Sequence, residues 1–234
     1  MDIRLLLHPN SPGFWVLVSL LAWLAIRLTT RYWSPRQLLW ITVARWVLIP
    51  YAGLIAGSLS PQLMGLIDID WQTTLGIGIV LTAILIGLMA VVRFMLNDIS
   101  AAEPSPTDTS PSETEAETVR APGWLWGGMT IITTGAEQFQ WSFLRGAVLE
   151  IALLNLTDIG QAGYWSIWIA TLLALPAILL QPLNRTDRLL KVTVLIISAI
   201  LFVFTQNFWL CWTFHASDWL LLATDRPSHT ITGP

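Results

Sequence analysis

The residues best suited to chemistry lie in residues 136–146, an otherwise apolar stretch that carries an acid, two amides and an arginine. Hydrocarbon cannot solvate such groups, so each must face the protein interior or a water-filled pocket. On a helix, Glu137, Trp141 and Arg145 fall at i, i+4 and i+8 and share one broad face. Gln138 is seven residues before Arg145, and the two nearly eclipse each other. A polar stripe of this kind inside a membrane helix predicts a functional site.

A second polar group lies near the end of the chain, in residues 211–219. His215 and Asp218 are three residues apart and therefore lie on one face of a helix. A carboxylate one turn from an imidazole can fix its tautomer and raise its basicity. The alternative is that His215 satisfies a carbonyl group on another helix and that Asp218 caps the inner helix end.

The two polar groups are predicted to lie at a similar depth. Glu137 is about 21 Å from the inner end of its helix, which leaves about 9 Å to the outer edge of the hydrocarbon core. His215 is about 10 Å from the outer start of the last span, so we expect Glu137 and His215 to meet. About 12 Å of helix separates Glu137 from Arg145. Arg145 therefore needs another acid, and the candidates are Asp218, Asp158 and Glu150.

Composition indicates the class of protein. Hydrophobic residues make up 54% of the 234 residues and charged residues only 12%, about half the charged share of a soluble domain. Several runs approach twenty residues with almost no charge, which predicts an all-α, polytopic bundle of about seven transmembrane helices in the lipid bilayer. No basic block is present, so nucleic-acid binding is not indicated. No disulfide, cofactor or metal site is predicted, because the chain has one cysteine and no zinc-ligand spacing.

The predicted segments divide the chain into four parts. These are a three-span membrane segment (1–96), an acidic linker (97–122), a four-span core (123–224) and a polar tail (225–234). The predicted spans are residues 14–28, 38–59, 73–96, 124–156, 164–180, 190–204 and 208–222. The linker has too few apolar residues to fold, so it is a disordered tether or a docking tail for a basic partner. The fourth span is too long for one straight crossing and must tilt, break near Gly135, or project from the membrane.

The positive charges near the span ends predict the orientation of the spans in the membrane. One basic group, Arg27, Arg31 and Arg36, follows the first span, and a second, Arg185, Arg188 and Lys191, follows the fifth. With seven spans both groups fall on the same, cytoplasmic side, whereas splitting the fourth span would put them on opposite sides. We therefore predict a plasma (inner) membrane protein with its N-terminus outside and its C-terminus in the cytoplasm.

The second span contains one charge and a pair of small residues. Arg45 is predicted to lie against backbone carbonyls, to pair with Asp68 or Asp70, or to snorkel towards the interface. Gly53 and Gly57 form a small-xxx-small pair, which predicts close approach of a neighbouring helix.

The C-terminal half resembles a known family. Its acid-bearing helix ends in Phe-Leu-Arg-Gly (143–146), and its last span contains Asn-Phe-Trp-Leu (207–210) and His-Ala-Ser-Asp-Trp (215–219). Residues 124–222 thereby resemble the CPBP family, the CAAX-processing and bacteriocin-processing (Abi-type) intramembrane proteases found in bacteria. These are glutamate-type membrane endopeptidases.

The resemblance implies roles for the polar residues. Glu137 would activate water, and His215 would help to bind that water or stabilise an oxyanion. Arg145 matches the arginine of the first family motif, and Asp218 matches the polar residue after the final histidine. The chain departs from the family at Gln138, which stands in place of a second glutamate. It also has no histidine in residues 164–171, the Glu-to-Arg spacing is longer, and the final acid comes three rather than four residues after the histidine.

Two functions follow from these motifs. An intramembrane endopeptidase, acting on a membrane-protein or peptide substrate, requires a water-filled cavity with Glu137 and His215 about one water apart. A catalytically inactive scaffold, or accessory subunit of a membrane complex, requires a closed polar network and no cavity beside Glu137. The missing histidine and Gln138 favour the second. A transporter is disfavoured because the chain lacks internal repeats.

Overall fold

The computed structural model describes residues 8–101, 123–155, 161–183 and 185–223. These residues contain seven α-helices and no strand. The helices are α1 (Pro12–Thr29), α2 (Pro35–Ile55), α3 (Trp71–Ala101), α4 (Gly123–Asn155), α5 (Ala162–Leu179), α6 (Arg185–Thr205) and α7 (Phe208–Ala223). Within this part of the chain, α1, α2, α3, α5 and α6 are long and apolar enough to cross a bilayer. The predicted all-α membrane bundle is confirmed.

The distribution of polar and apolar side chains is the reverse of that in a water-soluble protein. Charged and amide side chains of α4 and α7 are buried. Large apolar side chains cover the outside, and those more than half exposed include Leu21, Leu28, Leu48, Ile84, Phe94 and Leu172. An apolar surface of this extent needs hydrocarbon around it, and buried polar groups then find partners inside the bundle. The protein is therefore a multi-pass helical membrane protein whose outer surface contacts lipid.

Local signals in the sequence explain where α2 begins and ends. Ser34 and Gln37 form a capping box at its N-terminus. At the C-terminus, Gly57 has a φ of +66°, and Ser58 N–H donates to the carbonyl of Gly53 at 3.2 Å. This is the arrangement of a Schellman motif. The predicted Gly53–Gly57 packing pair is therefore wrong in part: only Gly53 lies in the helix, where a Cβ would come within 3.3 Å of Trp15.

Four connections in the described part of the chain lie in two pairs, one pair at each end of the bundle. At one end, Thr30 of the α1–α2 connection, Pro35 at the start of α2, and Pro182 and Leu183 of the α5–α6 connection line one cavity. The two basic loops are thus neighbours. At the other end, Gly65 in the α2–α3 connection accepts the N–H of the first residue of α7 at 2.9 Å. Gly65 has a φ of +72° and no room for a side chain, because a Cβ would meet the carbonyl group of Gln206.

Helix α4 runs unbroken through Gly135. Ser60 N–H donates to Glu150 Oε2 at 3.0 Å, and Trp212 Nε1–H donates to the carbonyl of Ile131 at 3.3 Å. The two acceptors are about 28 Å apart along α4, yet both donors belong to segments near the end formed by the α2–α3 and α6–α7 connections. The predicted break near Gly135 is therefore wrong, and the two contacts are those of a helix inclined to its neighbours.

Other segment boundaries differ little from the predictions. Helix α3 continues to Ala101, beyond the predicted end at residue 96. The remainder of the predicted linker, Asp158 and the C-terminal tail lie outside the described residues.

Candidate functional site

The predicted site lies on the buried face of α4. This helix packs against α1, α2, α5 and α7, so most of its circumference is covered by protein. Its buried polar residues are Glu137, Gln138, Gln140, Ser142 and Arg145. Because they point in more than one direction around the helix, they divide into separate clusters.

Glu137 forms an ion pair that the sequence analysis did not anticipate. Its Oε1 lies 3.0 Å from Lys191 Nζ on α6, and the two side chains are 7% and 10% exposed, respectively. Lys191 Nζ also donates to Gln181 Oε1 at 3.0 Å and lies 5.7 Å from the ring centre of Trp46. The ammonium group is thus held by a carboxylate, an amide and an aromatic face. This environment neutralises a charge that could not otherwise be buried.

Gln138 and Arg145 form a second cluster, centred on Ser198 of α6. Arg145 Nη2 donates to Ser198 Oγ at 3.2 Å, and Ser198 Oγ donates to Gln138 Oε1 at 3.1 Å. The guanidinium group also lies 5.1 Å from the ring centre of Phe202. The seven-residue spacing of Gln138 and Arg145 therefore brings both to the same hydroxyl group, as expected for eclipsed positions.

The predicted acidic partner of Arg145 is not Glu150. That carboxylate accepts the backbone N–H of Ser60, as described above. Asp218 is 2% exposed and lies on α7, one turn after His215. Asp158 lies outside the described residues. The contacts of Arg145 include the hydroxyl group of Ser198 and the ring of Phe202, both on α6, and the side chain of Cys211 on α7. Pairing of Arg145 with Asp218 stays a prediction.

His215 is fully buried and stacks on Trp141 of α4. The ring centres are 4.9 Å apart and the planes differ by 4°. Neither ring nitrogen has a hydrogen-bond partner in the described part of the chain. Both interpretations of His215 are therefore wrong for the described residues: among them, neither Asp218 nor a carbonyl group on another helix is hydrogen-bonded to the imidazole.

His215 of α7 stacks on the helix that carries Glu137, but the two side chains make different contacts. The imidazole contacts Trp141, one turn after Glu137, whereas the carboxylate contacts Lys191. The depth argument placed Glu137 in the outer half of the bundle, near the start of α7. Its partner Lys191 instead lies in the second turn of α6, at the end that carries the basic loops. Helices parallel to the membrane normal would place Glu137 and His215 at one depth, but α4 is inclined to its neighbours.

A cavity of about 170 Å³ adjoins Glu137 between α1, α2, α4 and α5. Its polar wall contains Ser19, Arg45, Glu137, Gln140 and Gln181. Gln140 Nε2 donates to Ser19 Oγ at 2.9 Å, while its Oε1 is buried without a hydrogen-bond partner among the described residues. Trp141 lines the cavity but His215 does not. The cavity has room for several water molecules.

Arg45 lies in the wall of this cavity and contacts a backbone carbonyl, which is one of the environments predicted for it. Its Nη1 donates to the backbone carbonyl of Ser19 at 3.4 Å. Asp70, a predicted alternative partner, accepts the N–H of Gln72 at 3.1 Å at the start of α3. Asp68 accepts a hydrogen bond from Gln62.

No group of three His, Cys, Asp or Glu side chains in the described segments is arranged to hold a metal ion. No protein-family model, curated protein or solved structure matches this chain. The CPBP resemblance therefore depends on the residues quoted in the sequence analysis, and the clusters around Glu137 and Ser198 must be interpreted from their own geometry.

Two residues of the site were missed by the sequence analysis, Lys191 and Ser198. Lys191 was used only as a loop charge, although the predicted sixth span begins at residue 190. Lys191, Ser198 and Thr205 are spaced by seven, so they eclipse one another along α6, and all three are buried. This spacing was a usable signal of a second polar face, complementary to that of α4.

Proposed function

We propose that the chain is a CPBP-like protein of the bacterial inner membrane that does not hydrolyse peptide bonds. In this proposal it serves as a scaffold or accessory subunit of a membrane complex. The observation that carries the proposal is the Glu137–Lys191 ion pair. A general base needs a carboxylate oxygen within hydrogen-bond reach of a water poised for attack, and here one oxygen already contacts an ammonium group.

The surroundings of His215 support the same conclusion. In a glutamate-type peptidase the histidine must reach the water or the developing oxyanion. His215 stacks on Trp141 and is not among the residues that line the cavity beside Glu137. The Gln138–Ser198–Arg145 cluster also suits a structural role, because its hydrogen bonds join α4 to α6.

The proposed orientation follows from the neighbouring basic loops. Positively charged short loops stay in the cytoplasm, so the end that contains the α1–α2 and α5–α6 connections is assigned to the cytoplasm. The N-terminus is then outside and the C-terminus inside. The acidic segment before α4 also falls on the cytoplasmic side, where a soluble or membrane-bound partner could reach it.

The second candidate, an intramembrane endopeptidase, is favoured by one observation. The peptidase requires the cavity beside Glu137, whereas the expectation that a scaffold has no cavity there is wrong. Catalysis would need Glu137 to leave Lys191 and His215 to leave its stack on Trp141. Both movements would break buried contacts before any substrate interaction offset their cost.

The Glu137→Gln variant distinguishes the two functions. Wild type and variant are expressed at equal abundance in a host that lacks the native copy, and new peptide termini among its membrane proteins are compared by mass spectrometry. We expect the same termini in both, because Glu137 does not act on substrate. The matched control is Glu150→Gln, on the same helix but outside the cavity. A fragment that disappears with Glu137→Gln and persists with Glu150→Gln would establish the peptidase instead.

A further inference from the structure

Two cavities adjoin inside the bundle. The first, of about 170 Å³, is the one beside Glu137. The second, of about 350 Å³, extends to the α1–α2 connection. Their shared walls come from α1, α2 and α5 and are formed by Trp23, Arg45, Trp46, Ala177 and Gln181. The pair of cavities thus extends from the end with the basic loops to the middle of α4.

The charge of these walls is positive. Arg27, Arg45 and Lys191 line the cavities, against the single carboxylate of Glu137. Glu137 pairs with Lys191 and also attracts Arg45, so one carboxylate serves two cations. The hydrogen bond of Arg45 goes to the backbone carbonyl of Ser19 at 3.4 Å. A cation in this low-dielectric setting attracts an anion strongly.

The remaining walls are apolar and aromatic. Leu172, Leu173 and Pro176 border the first cavity, and Ile26, Leu38 and Leu39 border the second. A small hydrophilic anion would leave these walls in contact with water, whereas an acyl chain would cover them. The combination of one cationic position and a long apolar wall suits an acidic amphiphile.

The buried amide of Gln140 narrows the class of head group. Gln140 lines the first cavity, and its Oε1 is an acceptor with no hydrogen-bond partner among the described residues. An unsatisfied buried acceptor is costly, and a hydroxyl donor would remove that cost. A head group that carries both an acid and hydroxyl groups would satisfy Arg45 and Gln140 together.

We propose that the two adjoining cavities bind one anionic phospholipid with a hydroxylated head group, such as phosphatidylglycerol. The phosphate lies at Arg45, a head-group hydroxyl donates to Gln140, and an acyl chain lies against Trp23 and Trp46. The lipid enters from the end of the bundle that carries the basic loops. This proposal holds whether or not the protein is an enzyme.

The test uses the full chain purified in a neutral detergent, with lipid binding measured by native mass spectrometry and by thermal stability. We expect phosphatidylglycerol to bind at least about tenfold more tightly than phosphatidylcholine of the same chain length, because only the first lipid is a net anion. Arg45→Met should abolish this preference. Arg31→Gln is the matched control, since Arg31 is exposed at the same end and lines neither cavity; it should keep the preference.

Other ligands and variants test the head group, the acyl chain and the cavity walls one at a time. Oleate, which lacks the phosphate head group, and soluble glycerol 3-phosphate, which lacks the acyl chains, should each bind at least about tenfold more weakly than phosphatidylglycerol. Equal binding of oleate would overturn the assigned head group, and equal binding of glycerol 3-phosphate would overturn the assigned acyl chain.

Gln140→Leu should bring the affinity for phosphatidylglycerol down to that for phosphatidic acid, which lacks the hydroxyls. If Arg45→Met does not fold, Ala177→Leu, which narrows both cavities without changing charge, should weaken binding. Unchanged binding in folded Arg45→Met or Ala177→Leu would contradict the site.

Discussion

Replacing Lys191 with methionine is expected to lower the free energy of unfolding by about 3–5 kcal/mol, the usual cost of removing one partner of a buried ion pair. The variant leaves the carboxylate of Glu137 buried and without its counter-ion. It also removes the donor to Gln181 Oε1. The measurement is reversible unfolding in mixed micelles or bicelles, with wild type and variant compared under one condition.

Two variants control this result. Arg185→Met removes an exposed cation from the first position of the same helix, and its effect should stay within about 0.5 kcal/mol. Adding Glu137→Gln to Lys191→Met removes the unpaired charge, so the double variant should recover most of the lost stability. A double variant no more stable than Lys191→Met alone would show that the ion pair is not the reason for the loss.

Replacing Ser198 with alanine is expected to lower the free energy of unfolding by about 2–4 kcal/mol, far more than a single hydrogen bond of a serine hydroxyl commonly contributes. The hydroxyl accepts from Arg145 and donates to Gln138, so one deletion leaves a buried guanidinium N–H and a buried amide oxygen without partners. Arg145 Nη1 already lacks a hydrogen-bond partner among the described residues. Loss of the Nη2 bond therefore removes a hydrogen bond that this buried cation cannot readily replace. The same unfolding assay measures the effect.

Ser166→Ala is the matched control for Ser198→Ala. Ser166 is 1% exposed, as buried as Ser198, but its hydroxyl donates to the carbonyl of Ala162 within its own helix. Its replacement should cost less than about 1 kcal/mol. Equal losses at the two positions would show that Ser198 does not join α4 to α6. Combining Ser198→Ala with Gln138→Leu should recover part of the loss, since the orphaned amide is then absent.

The fold could be predicted from the sequence because lipid allows few solutions. Runs of apolar residues gave each helix to within a few residues, and capping signals such as Ser34 and Gly57 explain the observed ends. The charges of the basic loops also predicted, through the count of seven spans, which connections would be neighbours. Each of these arguments uses information carried within one segment.

The partners of the buried polar residues could not be predicted in the same way. Helical spacing shows which residues share a face, as for Gln138 and Arg145, but it does not show which neighbouring helix covers that face. Glu137 was expected to meet a histidine of α7, and it pairs with a lysine of α6 because α4 is tilted across the bundle. Lys191 lies at the start of the predicted sixth span, where a lysine is equally compatible with a loop charge and with a buried partner for an acid. Its burial therefore did not follow from its position in the sequence.

The most direct test of the proposed structural role of Glu137 is a solid-state NMR distance measurement in lipid bilayers. Lys191 is the only lysine in the sequence, so labelling lysine with ¹⁵N at Nζ labels one site. We predict that this nitrogen dephases the ¹³C signal of one glutamate carboxyl carbon, and that the effect disappears in Glu137→Gln. Histidine ring nitrogens, labelled separately, should leave that carbon unaffected. Dephasing of the Glu137 carboxyl by a histidine, with none by Lys191, would contradict the account and restore the peptidase geometry.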